Sequence, residues 1–273
     1  MLLFAQLLYD KPPEVSARQI RERLAAAMPQ AKLVSNDEKE PVLLVVHEDH
    51  LIEYEDDKKL PAQTAILTGS PIDPAVLSAA VAQTWGWADA TEAVERARHQ
   101  IVVTELMASG LEPRTRVALF FGVLKLVSEC LPPVAIHCQH AERIVDPAAV
   151  LNASPESDAD AFLAAVLNVR LFRVENAESE QTLMDTRGLA ALGLPDLQIH
   201  FRDLDPGQVA GHLYGMAVYI YTNGDCIEDG QTVQGLTEDD AWKCQHEPSL
   251  AAPSRVVIDN DPGDPFAAGT RRR

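Results

Sequence analysis

The segment that most constrains the fold spans residues 188–235, because it joins a well-patterned strand to a long uncharged run. Leu197, Ile199 and Phe201 alternate with polar residues, and this period of two predicts a strand with one buried face. No Asp, Glu, Lys or Arg occurs among residues 206–224. The segment therefore predicts a strand that leads directly into an apolar helix.

The boundaries of this helix follow from local signals. Asp203 or Asp205 is expected to cap it, and Pro206 suits its first turn, where a missing N–H costs nothing. The helix is predicted to span residues 207–221 and to stop before the turn pair Asn223-Gly224. Apolar residues occupy nearly all of its circumference, so we expect it to be buried on more than one side.

Three glycines, Gly207, Gly211 and Gly215, recur every fourth residue and therefore share one side of this helix. Each costs about 1 kcal/mol of helix stability relative to alanine, and the expected compensation is the close approach of another backbone. The same spacing occurs where membrane helices pair. Polar residues in and around the helix argue against a membrane span, and no run of about 18 strongly apolar residues occurs, so we predict no membrane insertion.

Acidic residues crowd the turn that follows the helix. Cys226-Ile227 and Thr232-Val233 flank Asp229-Gly230, which predicts a tight hairpin. Between residues 189 and 260 there are 11 acids against three bases, and their order does not match a calcium-binding loop. This face is either simply solvated or a docking surface for a basic protein. The candidate partner-binding residues are Asp225, Glu228, Asp229, Glu238, Asp239 and Asp240.

A candidate ligand site lies where the predicted strand meets the helix. His200 and Arg202 project from the same face of the strand, and His212 follows on the helix. Because the free N–H groups of a helix N-terminus attract anions, these three residues are candidates to bind a carboxylate or a phosphate. The alternative is a surface ion pair between Arg202 and Asp203 or Asp205.

The same part of the chain carries a resemblance to a known family. The run DTRGLAALGLPDLQIHF, followed by DPGQVAGHLYGMAVYIYTNGDCIEDGQTVQG, resembles the C-terminal signature of a bacterial family of unknown function, DUF4261. The resemblance covers residues 182–235. It implies a cytosolic bacterial protein, and some members look like toxin-neutralising immunity proteins. It implies no activity that can be assigned to particular residues.

The overall charge and the cysteines restrict the class of protein. The 23 Lys and Arg residues against 41 Asp and Glu residues give a net charge of −18, which repels nucleic acid and anionic membrane surfaces. Such a charge suits a basic partner, and it is also common in acidic proteins without one. The four cysteines include no C-x-x-C pair. The N-terminus shows no export signal, so we expect reduced thiols and a cytoplasmic protein.

Metal binding and catalysis receive little support. His137-Cys138-Gln139-His140 places three potential metal ligands within four residues, but a structural zinc site needs four ligands with paired spacing, which Cys130, Cys244 and His246 would have to complete. The alternative is a strand end with surface histidines. Cys138 between two histidines is a weak candidate for an activated thiol. No nucleophile elbow or phosphate-binding loop occurs, so we expect no metal, no cofactor and no enzymatic activity.

The order of the remaining patterns indicates an α+β protein with mixed sheets and packed helices. A β-α-β-β order opens the chain, with a hairpin expected around Glu48-Asp-His50. This order is found in ferredoxin-like units, and similar patterns that follow it suggest two ferredoxin-like halves.

The predicted domain organisation has three parts. An α+β region covers residues 1–150, and a polar linker follows within 152–160. Residues 160–246 form a C-terminal region that shares the core, although residues 162–174 show no clean period. The Pro-rich residues 247–273 are expected to form a mobile tail in which 256–258 docks as an edge strand.

The function hypothesis is a non-catalytic, cytosolic binding protein of immunity type, whose acidic surface neutralises a basic toxin or effector domain. One alternative is a small-ligand binder or hydrolase-like enzyme with a pocket beside His200, Arg202 and His212. Another is a self-associating structural protein. A deep pocket with convergent polar groups would favour a ligand, and a broad acidic face would favour a partner.

Overall fold

A computed structural model describes residues 2–34, 40–53, 58–155, 157–174 and 180–269. The chain divides into two compact units, Met1–Val166 and Leu167–Arg273. Each unit combines one multi-stranded sheet with helices, so the predicted α+β class is confirmed.

The first unit is built on a sheet of seven described strands. These are β1 (Phe4–Tyr9), β2 (Ala31–Val34), β3 (Val42–Glu53), β4 (Lys59–Pro71), β5 (His99–Leu106), β6 (Ala135–Cys138) and β7 (Arg143–Val145). Their spatial order is β2-β3-β4-β5-β1-β6-β7, and all neighbours are antiparallel.

The opening of the chain follows the predicted element order but pairs differently. β1 lies between β5 and β6 rather than beside β3, and two ferredoxin-like halves are not confirmed. The predicted hairpin around Glu48-Asp-His50 is wrong. β3 is one continuous strand with a register shift between His47 and Leu51, because the long neighbour β4 keeps pairing with it on both sides of this bulge.

The helices of the first unit pack on this sheet. They are α1 (Ala17–Ala27), α2 (Ser78–Ala82), α3 (Ala90–Arg96), α4 (Pro113–Cys130), α5 (Pro147–Asn152) and α6 (Ala159–Val166), with a short 3-10 helix at Pro74–Leu77. Ser16 caps α1, as its hydroxyl accepts a hydrogen bond from the N–H of Gln19 at 3.2 Å. Phe121 of α4 meets Phe162 of α6 edge to face, with the ring centroids 5.1 Å apart. The boundary between the units thus follows α6, beyond the linker expected within 152–160.

The second unit contains six described strands and one long helix. These are β8 (Asn168–Arg173), β9 (Thr182–Arg187), β10 (Asp196–Phe201), α7 (Pro206–Asn223), β11 (Thr232–Gln234), β12 (Ala241–Pro248) and β13 (Val256–Asp261), with a 3-10 helix at Leu189–Leu192. The sheet order is β11-β12-β13-β10-β9-β8. β10 and β13 are parallel, and the other neighbours are antiparallel. The predicted strand and apolar helix are confirmed as β10 and α7.

The end of the described chain is part of the sheet. β13 pairs with both β10 and β12, so the expectation of an edge strand is wrong. Ala267 then forms a bridge with Phe201 at the end of β10. Residues 270–273 of the predicted tail lie outside the described residues.

A buried ion network holds one face of this sheet together. Arg170 and Arg255 donate to Asp185 at 2.6 and 2.7 Å, and Arg255 also donates to Asp196 at 2.8 Å. All four side chains are at most 4% exposed. Because a buried charge is tolerated only when it is paired, each carboxylate depends on its guanidinium partners.

Among the helices of the described ranges, none has the length and apolar character that crossing a bilayer requires.

Candidate functional site

The helix α7 has one buried side and one open side. Asp205 caps it by accepting a hydrogen bond from the N–H of Gln208 at 2.9 Å, as predicted for this pair of acids. Val209, Leu213, Met216, Ala217, Ile220 and Tyr221 form its buried face. On the other side Gly211 and Gly215 are exposed, and Tyr219 is 53% exposed. The expectation of burial on more than one side is therefore wrong for this stripe.

The glycine stripe meets open space instead of another backbone. A Cβ placed on Gly211 or Gly215 would have no atom within 4 Å. The predicted close approach of a second backbone is therefore not made by the described residues. The cost of these two glycines to the helix is not compensated by packing within the described chain.

A groove of about 640 Å³ runs along this stripe. Its walls are α7 on one side and β11 with the preceding loop on the other. Gly211, Gly215, Met216, Tyr219, Cys226, Ile227 and Val233 are among the lining residues. The lining combines these apolar side chains with the polar residues Gln231, Thr232 and Gln234 and, among the described residues, holds no charged side chain, so the groove suits side chains of a partner better than a highly charged ligand.

The predicted hairpin across Asp229-Gly230 is wrong in its pairing. The chain does turn at these two residues, but Cys226-Ile227 is not a strand. β11 instead pairs with β12 across the loop 235–240. β11 is thus an edge strand of the sheet, with a loop at each of its ends.

The first of these loops is fixed to the sheet by His246 of β12. The ring Nδ1 lies 2.8 Å from Asp229 Oδ1, and Nε2 lies 3.1 Å from Asp225 Oδ1. Asp229 also accepts the backbone N–H of His246 at 2.7 Å. The loop acids therefore serve partly to hold the loop, a role that the sequence could not show, since 17 and 21 residues separate them from the histidine.

These contacts shift the pKa values of His246 and Asp229, and both shifts favour the charged forms. Partial burial lowers the pKa of His246, but its hydrogen bonds with Asp229 and Asp225 raise it more, so the net pKa lies above the ordinary value. The backbone N–H and then the ring of His246 lower the pKa of the Asp229 carboxyl. Both shifts favour the ion pair.

Most of the remaining acids of the two loops are exposed to solvent. Glu228, Glu238 and Asp239 are exposed, while Asp240 is half-buried and accepts the N–H of Thr237 at 2.8 Å. From residue 225 to 247 the chain has seven acids and one lysine, Lys243. Glu228, Glu238 and Asp239 thus place exposed carboxylates in the two loops that flank β11, beside the groove.

His212 lies in the wall of the groove. Its ring meets the Trp242 ring edge-on, with the centroids 4.7 Å apart, and its Nε2 is buried without a hydrogen-bond partner among the described residues. Burial lowers the pKa of His212, and a hydrogen bond with Asn260 opposes that shift only in part. His212 is therefore neutral near pH 7 and contributes a polar atom rather than a charge.

His200 lies on the opposite face of the sheet from His212. The Gln198 side chain donates to Asp259 at 3.3 Å, so these two side chains share one face of the sheet. Because side chains alternate along a strand, Asn260 lies on the other face, where it forms a hydrogen bond with His212. His200, two residues after Gln198, shares the face of Asp259 and lines a separate cavity of about 780 Å³. The structure does not bring these two histidines together.

Arg202 holds the end of the described chain. Its Nε and Nη2 donate to the carbonyl of Ala267 at 3.1 and 2.7 Å, and its backbone N–H donates to Phe266 at 2.9 Å. The expected surface ion pair with Asp203 or Asp205 is not among its contacts. This arginine thus positions a backbone segment in the structure, and anion binding by it remains a prediction.

The potential metal ligands of the first unit are buried structural residues. His137 and His140 are 8% and 4% exposed, so the expectation of surface histidines is wrong. His137 Nδ1 meets Gln6 Oε1 at 2.5 Å. Cys138 is fully buried against Ala165, and burial raises the pKa of its thiol to about 12, which does not suit an activated nucleophile.

Within the described ranges, no three side chains among His, Cys, Asp and Glu are arranged to hold a metal ion. Cys244, considered above with His246, donates weakly to Asn260 at 3.7 Å, and burial raises its pKa to about 11. His246 is bound to the loop acids instead.

A comparison with known families concerns this same region. Residues 185–260 match the family model described as a domain of unknown function, DUF4261. The resemblance drawn from the sequence is confirmed for this segment. It contains α7, the edge strand β11 and both acidic loops, so the groove lies entirely within the matched residues. No curated protein and no solved structure matches the chain.

Proposed function

We propose that this chain is a non-catalytic binding protein whose groove and flanking acidic loops receive a basic protein partner. The observation that carries the proposal is a groove with apolar side chains in its lining, beside a strand whose two flanking loops carry exposed carboxylates. Glu228 stands in the loop before β11, and Glu238 and Asp239 stand in the loop after it.

The strand β11 is short enough for one partner segment to contact the loops at both of its ends. β11 has three residues, which span roughly 10 Å at the rise of a strand. A partner segment that lies along β11 would therefore pass both acidic loops. Opposite charge at such a rim speeds association and rejects acidic competitors more than it adds to affinity.

The class of partner that we infer is a basic toxin or effector domain, which the chain would neutralise in a bacterial cytoplasm. The support is the match of residues 185–260 to DUF4261, a family in which some members look like immunity proteins, together with the net charge of −18. A neutralising protein needs a surface of complementary charge, and the exposed carboxylates beside the groove support a basic partner.

The test is a selection of random displayed peptides of about twelve residues on the full chain, followed by binding of one enriched synthetic peptide. We expect enrichment of Lys and Arg, and an affinity that falls by more than about tenfold when salt rises from roughly 0.05 to 0.5 M. The triple variant Glu228→Lys, Glu238→Lys and Asp239→Lys should lose the binding.

The matched control makes the same change of charge elsewhere. Asp10→Lys, Glu14→Lys and Glu95→Lys replace three exposed acids of the first unit and should keep most of the affinity. Enrichment of neutral or acidic peptides, or equal loss in both triple variants, would overturn the proposal.

A second candidate function rests on the cavity beside His200. Gln198 donates to both Glu247 and Asp259, at 2.6 and 3.3 Å, and both carboxylates line this cavity of about 780 Å³. Two carboxylates and an imidazole suit a small cationic ligand. The test is thermal unfolding with a panel of small amines, where an amine that stabilises the protein but not Glu247→Gln would favour this function.

A further inference from the structure

We infer that the partner contributes an extended segment that adds as a new strand to the free edge of β11, beneath the glycine stripe of α7. This inference rests on the proposed function and specifies how the groove is used. It follows from the hydrogen-bonding pattern of β11, from the space over the stripe, and from the charges at the two loops.

The backbone of β11 offers a free edge of known register. The carbonyl of Gln231 accepts a hydrogen bond from the N–H of Cys244 at 2.8 Å, and the N–H of Gly235 donates to the carbonyl of Asp240 at 3.3 Å. The backbone groups of the odd-numbered residues of this segment therefore point toward β12. In an antiparallel ladder the alternate residues point the other way. The N–H and C=O groups of Thr232 and Gln234 therefore face outward, and no described residue pairs with them.

The stripe leaves room for the side chains of such a strand. Gly211 and Gly215 are four residues apart, which is roughly 6 Å along a helix. Alternate residues of a strand are spaced by roughly 6.6 Å. Two successive inward side chains of the added strand therefore match the two vacant positions on α7, where an added Cβ would meet nothing within 4 Å.

The residues that line the groove and the acids of the two flanking loops indicate which side chains the partner segment carries. Inward residues would meet Met216, Ile227 and Val233, so they are expected to be apolar. Residues at the two ends would meet Glu228 on one side and Glu238 on the other, so they are expected to be Lys or Arg. The occupant is thus an extended segment with an apolar centre and basic ends.

The same charges disfavour a second copy of this chain as the occupant. Two copies that met edge to edge at β11 would bring acidic loops against each other, and each chain carries a net charge of −18. Like charges at an interface cost binding energy. A basic partner removes this repulsion and supplies the missing counter-charge.

The first test removes one outward N–H without touching the pairing to β12. In Gln234→Pro the lost N–H is one that points away from the sheet, a position where proline is tolerated on edge strands. The enriched basic peptide should bind this variant at least about tenfold more weakly than Gln234→Ala, which keeps the N–H. Equal affinity for the two variants would overturn strand addition.

The second test leaves the protein unchanged and scans the peptide. Methylation of single backbone nitrogens should weaken binding by about tenfold at alternate positions and have little effect at the positions between them. A scan without alternation contradicts the inference even when the proline variant is poorly folded.

The third test uses Cys226 in the groove as a built-in probe. Cys226 is exposed, Cys138 and Cys244 are buried, and Cys130 is half-buried. Saturating peptide should slow the reaction of Cys226 with a maleimide and leave Cys130 unaffected. Unchanged labelling of Cys226 would place the peptide elsewhere and overturn the inference.

The outcomes separate this inference from the proposed function. If the charge-reversed triple variant loses the peptide while the scan shows no alternation, the acidic site stands and strand addition falls. If charge reversal has no effect, both fall. A dimer in light scattering that Gln234→Pro dissociates would identify a second copy as the occupant and overturn the choice of a basic partner.

Discussion

Alanine substitutions in the glycine stripe of α7 should stabilise the protein, because alanine favours a helix more than glycine does. Gly211 and Gly215 lie within the helix, and an added Cβ at either position would have no atom within 4 Å. Alanine at each site therefore gains helix propensity and loses no packing. We expect about 1 kcal/mol for each substitution and about 2 kcal/mol for the pair, with a rise in melting temperature of roughly 4 °C per kcal/mol.

Two other glycines of the same unit serve as controls. At Gly207 an added Cβ would lie 3.1 Å from Oδ1 of Asp205, the residue that caps the helix. Alanine there should gain less than at Gly211 or lose stability. At Gly235 a Cβ would overlap the indole ring of Trp242, so Gly235→Ala should be clearly destabilising.

The assay is urea unfolding of the full chain, with amide hydrogen exchange of α7 to report on the second unit alone. The double variant should show slower exchange in the helix and weaker binding of the basic peptide, because the new methyl groups occupy the groove. Destabilisation by Gly211→Ala or Gly215→Ala would refute the reasoning, since it would mean that something packs on the stripe in solution.

Three further outcomes are expected. The pKa of His246 is raised, so its contribution to loop stability is complete below about pH 6.5 and is lost as pH rises through its folded-state value. The protection factors of the amides of residues 225–231, which correct exchange rates for the intrinsic effect of pH, should be lower at pH 8.5 than at pH 6, and His246→Gln should abolish the difference. Burial, and to a smaller extent the charge of His50, lowers the pKa of His47 to about 4. The contribution of the neutral His47 to the free energy of unfolding is complete above about pH 6.5 and falls by about 3 kcal/mol as pH drops toward 4. The urea midpoint of the wild type should therefore decline more steeply over this range than that of His47→Gln. Arg255→Met leaves Asp196 buried without its cation and should lower the free energy of unfolding by about 3–5 kcal/mol, and a urea midpoint close to that of the wild type would show that the network is not stabilising.

Several elements were predictable because their signals lie within a few residues of sequence. The alternation of Leu197, Ile199 and Phe201 identified β10, and the Asp205-Pro206 pair marked the start of α7. Such patterns report which face is buried and where a helix can begin, since both depend on neighbours in the chain. The match of residues 185–260 to DUF4261 was also visible in the sequence.

The errors all concern choices that depend on distant residues. Asp229-Gly230 forms the predicted turn, but only the sheet determines that β11 pairs across the following loop with β12. Similarly, β13 has the pattern of a short edge strand, yet it lies between β10 and β12. The partner of a strand is chosen among segments far apart in sequence, and no local pattern encodes that choice.

The sequence by itself determined the charge, the α+β class, the strand–helix core of the second unit and the acidic residues around it. Only the tertiary structure decided that the glycine stripe faces open space, that His246 fastens the first acidic loop, and that His200 and His212 lie on opposite faces of the sheet. The physical reason is that composition and periodicity act along the chain, whereas exposure, pairing and the meeting of side chains arise from long-range packing.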